Sequence, residues 1–243
     1  VQQRTEARVQ TDLYDIIFAV ELAIAKKWSL RKYGNRSDAG KLLNLIPPTA
    51  LNCLALQFSD PQLQVDTMQA VWTVDKTEVH LSGEDSNMED SITFNTRIGE
   101  NLKISKKFTF YQDSYYVDLA LMFQNLSGEP LSALQLANQN NESGYTLRWG
   151  PGITADLLPH EKRQGGKHRP TRGEGARAYT GFGNPAKELD EAHLTGPVLW
   201  AGLNNNYFAA LMIPAPGLDA QYRFEELKDN GTPPAADITA PTD

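Results

Sequence analysis

The stretch Leu102-Lys-Ile-Ser-Lys-Lys-Phe-Thr-Phe110 decides the reading of the fold. Apolar residues stand at 102, 104, 108 and 110, every second position, and Lys106 is the one break in the series. Period 2 is the spacing of a strand with one buried face, because successive side chains leave the pleat on opposite sides. The next run, Tyr115 to Phe123, repeats it. Val117, Leu119, Leu121 and Phe123 form a well-buried face, and Asp118, Ala120 and Met122 form a mixed one. Tyr111-Gln-Asp-Ser114 between the two runs predicts a hairpin connection.

Working outward, Asn125-Leu-Ser-Gly-Glu-Pro130 reads as a turn before an apolar run from Leu131 to Leu136. Val71 to Val74 and Val79 to Leu81 flank Asp75-Lys76, which predicts a second hairpin, closed by Leu81-Ser-Gly-Glu-Asp-Ser-Asn87. Leu13 to Ala25 fits helix or strand; the β-prone Ile16, Ile17, Phe18 and Val20 favour strand through Val20. Tyr207 to Ile213, closed by Pro214-Ala-Pro216, reads as a buried strand. Only Ala186 to Ala192 or Asp190 to Leu194 suggests a helical turn or two. Strands at intervals of roughly ten residues with turns between them predict an all-β, mainly antiparallel sandwich with little helix. One domain over residues 1–230 is expected, followed by a Pro-, Ala- and Thr-rich tail or linker over 231–243.

Composition narrows the function. Of 243 residues, 40% are hydrophobic and 22% charged, which suits a folded domain rather than a disordered chain. The net charge of −7 argues against non-specific nucleic-acid binding. No run approaches the roughly 18–20 apolar residues of a membrane-spanning helix; the best, Ile16 to Ala25, is short and broken by Glu21. The polar start, Val1-Gln-Gln-Arg-Thr-Glu6, resembles no signal peptide and reads as a processed or excised piece. Cys53 is the single cysteine, which excludes an intrachain disulfide and a multi-cysteine metal site.

Catalytic and ligand motifs fail on inspection. His80, His160, His168 and His193 have no helical i, i+4 pair, and His160-Glu161 is followed by Gln164 where a zinc helix needs histidine. Gly173-Glu-Gly175-Ala-Arg-Ala178 has the spacing of a dinucleotide loop, but loop-like residues precede it where a strand is required. Ser29-Leu-Arg-Lys32 lacks the partner motifs of a serine acylase. Asp85, Asn87 and Glu89 imitate a calcium loop, yet Asp90 replaces its glycine and Thr96 its bidentate glutamate. No catalytic residue, cofactor or metal is expected. Two features stand out. From His160 to Arg177, Lys162, Arg163, Lys167, Arg169, Arg172 and Arg177 face only Glu161 and Glu174, a local +4 suited to an anionic surface or an acidic partner. Trp149, Trp200 and Tyr207 lie in or beside apolar runs and are candidates to line a cleft or contact a partner.

Three segments resemble the large periplasmic domain of the YidC membrane insertases. The first is 102–110 continuing through Tyr115-Tyr-Val-Asp-Leu-Ala-Leu-Met-Phe-Gln-Asn125. It is similar to the family's Lys-x-Phe/Tyr-x-Phe strand, the strand after it and a closing Asn. The second is Leu147-Arg-Trp-Gly-Pro-Gly-Ile153. The third and most specific, Gly196-Pro-Val-Leu-Trp-Ala-Gly-Leu-Asn-Asn-Asn-Tyr-Phe-Ala-Ala-Leu-Met-Ile-Pro214, resembles a Trp…Tyr-Phe-Ala…Pro signature. Trp28-Ser-Leu-Arg-Lys-Tyr33 matches more weakly. The resemblance spans about residues 10–215; where the family usually continues with further strands and a short helix, a Pro-rich tail is read here.

The resemblance implies a β-supersandwich like the galactose mutarotase fold. It implies a location at the periplasmic face of a bacterial inner membrane, between the first two transmembrane helices of an insertase. The chain would then be non-enzymatic, accessory to insertion and folding, with the Sec translocon and nascent membrane proteins as partners. The rival readings are a mutarotase-like enzyme and a carbohydrate-binding module. Mutarotation needs an acid–base pair at the anomeric centre. Only His80 and His193 lie beside likely strands, and neither sits in a recognisable motif.

Overall fold

The computed structural model describes residues 5–35, 39–47, 53–83, 88–130, 144–150, 153, 179–180, 193–194, 200–204, 208–216, 218, 221–225 and 235–239. The chain divides into two compact units, one of residues 1–35, 40–44 and 60–133, the other of 36–39, 45–59 and 134–243.

The first unit opens with β1 (Glu6–Thr11) and β2 (Tyr14–Ala19), an antiparallel hairpin. Thr11 Oγ1 accepts the N–H groups of Leu13 and Tyr14 at 3.1 and 3.2 Å, which ties the turn. The expected strand over Leu13 to Val20 is therefore present, one residue shorter at each end. A short 3₁₀ turn, Glu21–Ala23, leads into β3 (Ile24–Gly34) and β4 (Leu42–Asn44). Leu22 and Ala23 hold φ of 62° and 49°, a left-handed backbone that costs each non-glycine residue about 1 kcal/mol or more.

After β5 (Ala55–Phe58), which belongs to the second unit, comes α1 (Pro61–Gln69). Asp60 caps it by accepting the Leu63 N–H at 2.7 Å, and Pro61 stands in the first turn, where its missing N–H costs nothing. Next follow β6 (Thr73–Val74), β7 (Glu78–Leu81), β8 (Glu89–Ile98), β9 (Leu102–Tyr111) and β10 (Val117–Asn125). The sheets run β4-β3-β2-β1-β7 and β10-β9-β8-β6; every pairing is antiparallel except β1 with β7.

Two expectations change here. The hairpin around Asp75-Lys76 does not form: β6 pairs with β8 in one sheet and β7 with β1 in the other. The Asp75 carboxylate accepts the Thr93 N–H at 2.9 Å and Lys76 reaches Asp90 at 2.5 Å, so the turn is stapled to β8 while the chain crosses between sheets. Lys106 breaks the apolar series in chemistry only. It lies in phase with Ile104 and Phe108 and is fully buried. The two sheets meet at Phe18, whose ring lies 5.5, 4.8 and 6.1 Å from those of Phe94, Phe108 and Phe110. These offset, tilted aromatic contacts form the centre of the core.

The second unit contains β5, β11 (Tyr145–Trp149), β12 (Tyr179–Thr180), β13 (His193–Leu194), β14 (Ala201–Asn204), β15 (Ala209–Met212), β16 (Gln221–Glu225) and β17 (Ala235–Thr239). Its sheets run β13-β16-β17-β11-β5 and β12-β14-β15, with antiparallel pairings throughout. β17 falls inside the segment read as a tail. Ala-Ala-Asp-Ile-Thr pairs on both sides, with β11 and with β16. Two strands, β16 and β17, thus follow β15.

The run from Tyr207 to Ile213 shortens to β15. It ends the three-strand order and exposes Leu211 and Ile213, so it is an edge rather than a buried strand. His193–Leu194, read as part of a helical turn, is strand paired with β16. Residues 186–192, 131–136 and 84–87, which carry the other readings, lie outside the described residues. The fold class is all-β and mainly antiparallel.

Candidate docking surface

The residues singled out from sequence are placed unevenly. Trp149 is in β11 and only 7% exposed, packed into the sheet. Trp200 is half-buried just before β14. Tyr207 and the basic residues Lys162, Arg163, Lys167, Arg169 and Arg172 lie outside the described residues. His80, in β7, is exposed, with its ring Nε2 2.5 Å from Ser82 Oγ. Among the described residues, no group of three His, Cys, Asp or Glu side chains could hold a metal ion.

A surface that the sequence reading passed over emerges at the β9–β10 hairpin. β10 ends its sheet's strand order, and Val117, Leu119, Leu121 and Phe123 are only half-buried, not the well-buried face expected. Tyr111, the last residue of β9, stacks on Tyr116 at 6.2 Å with ring planes 27° apart. Its hydroxyl donates to the Asp118 carboxylate at 2.5 Å. That hydrogen bond to an anion is the main reason the Tyr111 hydroxyl is pushed up to about 12, and the same carboxylate raises Tyr116.

Tyr115 and Tyr116 are 48% and 52% exposed, and Met122 further along β10 is also exposed. Tyr33 of β3, again exposed, bears electrostatically on Tyr115. The result is an aromatic rim with a carboxylate fixed between hydroxyls. Its chemistry favours a cation. Ring faces attract positive charge, and a hydroxyl that donates to an anion leaves its ring richer in electrons. Tyrosine also offers contact area at small conformational cost. The only signal in sequence was two adjacent tyrosines before a strand, a pattern with no periodicity to set it apart.

A family model described as the YidC periplasmic domain matches residues 6–241. The chain belongs to the YidC periplasmic domain family. The match runs beyond the 10–215 read from motifs and takes in β16 and β17. Two relatives named "Membrane protein insertase YidC" are similar to this chain. The protein from Syntrophus aciditrophicus (strain SB) is 24% identical over 225 residues, covering 88% of this chain and 36% of its own length. That from Citrifermentans bemidjiense is 28% identical over 128 residues, covering 52% of this chain and 23% of its own. The chain thus spans about a third or less of these YidC relatives. As a YidC periplasmic domain it falls among insertase-associated domains. Among its described residues no helix is long and apolar enough to cross a membrane.

Proposed function

We infer that this chain is an accessory, non-catalytic domain at the periplasmic face of a bacterial inner membrane, which docks polypeptides handled by a YidC-type insertase. Family membership supports the setting. The observation that carries the docking role is the rim of Tyr33, Tyr115, Tyr116 and Met122 around the Tyr111–Asp118 hydrogen bond. Its occupant is a polypeptide segment that sets a lysine or arginine against the rings, on a chain whose own charge is −7. Sec translocon components and nascent membrane proteins are the partners this reading names.

The test is a photo-crosslinking amino acid at position 116 in the full-length insertase, with position 97 on β8 as control. Adducts with a Sec component or a nascent membrane protein, identified by immunoblot and reduced by Asp118→Asn, are expected at 116 alone. Adducts equal at both positions, or none at 116, would overturn the docking reading.

A further inference from the structure

Among the described strands, β10 is the one long strand that ends a sheet. The others in that position, β4, β5, β6, β7, β12, β13 and β15, are two to four residues long. β10 has nine residues, and its register with β9 runs unbroken through all of them. Among the described residues, the backbone groups of 117–122 form no hydrogen bond beyond that ladder. An antiparallel ladder engages the N–H and C=O groups of alternate residues on one side, so the other side of β10 presents a row of donors and acceptors.

Folded proteins blunt such a row with proline, lysine, a bulge or a short strand. β10, Val-Asp-Leu-Ala-Leu-Met-Phe-Gln-Asn, uses none of these. Its one charge is Asp118, which accepts the Tyr111 hydroxyl hydrogen bond.

The side chains are also placed for a neighbour. Leu119 and Phe123 stand in register with the buried Phe108 and Ile104, on the core side of the sheet, yet both are only half-buried, as is Leu121 between them. On the opposite side Ala120 and Met122 are exposed and continue the line from Asp118. A further strand would lay alternate apolar side chains beside Leu119, Leu121 and Phe123. It would also set one residue directly opposite Asp118, with Cβ atoms about 5 Å apart, the spacing of a cross-strand ion pair.

We propose that β10 takes up an extended polypeptide segment as an added antiparallel strand, a segment with apolar residues at alternate positions and a lysine or arginine opposite Asp118. The inference rests on the docking reading above and gives that site its binding mode. Main-chain hydrogen bonds supply affinity that any sequence can provide, and the pairing with Asp118 fixes the register. The antiparallel sense follows the ladder that β10 already makes with β9.

The probe is a synthetic peptide as long as β10 that alternates valine and threonine and carries a lysine where it would face Asp118. It is titrated into the whole chain by calorimetry, and amide exchange of β10 is followed by NMR. Two further peptides bear N-methyl groups on alternate residues, one in each phase. An added strand needs the N–H groups of one phase only, so one methylated peptide should bind at least about tenfold more weakly and the other nearly as well as the parent. Alternate amides of β10 should gain protection from exchange, and glutamate in place of the peptide lysine should weaken binding. Two methylated peptides that behave alike, no binding by the unmethylated one, or a dimer of the chain that excludes it would each overturn strand addition. The docking reading would outlive such a result if position 116 still gave its adducts, and would fall only with their loss.

Discussion

The thiol of Cys53 donates to the carbonyl of Gly150 at 3.6 Å, joining positions 97 residues apart in the second unit. Burial pushes the thiol up to about 11, with the hydrogen bond to Gly150 acting the other way. A thiol that stays protonated and enclosed is a poor nucleophile. Labelling with a soluble disulfide reagent at pH 8 should be at least about a hundredfold slower on the native chain than in denaturant. The pH sign is also fixed: the folded value exceeds the unfolded 9.0, so this stabilisation is full below pH 9 and is lost as pH rises toward 11. A native rate close to the denatured one would contradict the burial.

Gly202 in β14 lies so close to β15 that a Cβ would fall on the Ala210 carbonyl oxygen and against the Leu211 side chain. The obstacle is backbone and cannot rotate away. Gly202→Ala should cost about 1–3 kcal/mol through overpacking. Chemical denaturation would show it as a lower midpoint at unchanged slope; an unchanged midpoint would mean that the two strands separate freely.

The segment from His160 to Arg177 carries its net +4 on a chain of −7. Attraction to anionic lipid is about 1 kcal/mol per basic residue held at the surface. Co-sedimentation with anionic vesicles should therefore be weak at low salt and vanish near physiological ionic strength, where screening acts over about 8 Å. Replacing Lys162, Arg163, Lys167 and Arg169 by Ser should abolish it. Parent and variant binding equally well would dismiss the segment as a lipid contact.

Catalysis of sugar mutarotation calls for a convergent acid and base. His80 is exposed on β7 beside Ser82. Polarimetry on glucose and galactose should give the uncatalysed rate. Acceleration that disappears on replacing His80 or His193 would revive the enzymatic alternative.

Legibility from sequence followed the length scale of each signal. The alternation of Leu102, Ile104, Phe108 and Phe110 is a local property, and the strand it announced is β9. The same pattern in Val117 to Phe123 located β10 but could not say that β10 ends a sheet, because strand order is set by partners distant in sequence. β17 was hidden by averaging: its five paired residues belong to a segment, 231–243, made up mostly of Pro, Ala and Thr. α1 has too weak an apolar stripe for a periodicity scan, with only Leu63 and Thr67 buried, although Asp60-Pro61 is a sound start signal. Lys106 was visible as an oddity, but its partner at Ala23 was not, since that contact exists only once two sheets have met.

The position of β17 between β11 and β16 bears on how the polypeptide matures as it is made. The described strands of the first unit lie within residues 6–125, so they can pair while later residues are still being synthesised. The apolar segment Ala55–Phe58 emerges early but has no ladder to join until Tyr145–Trp149 follows, and that pair stays a sheet margin until residues 235–239 arrive. Long-range pairing of this kind is slow. The sheet of the second unit that contains Ala55–Phe58 is therefore completed only when the last of these strands has been made, long after its first strand.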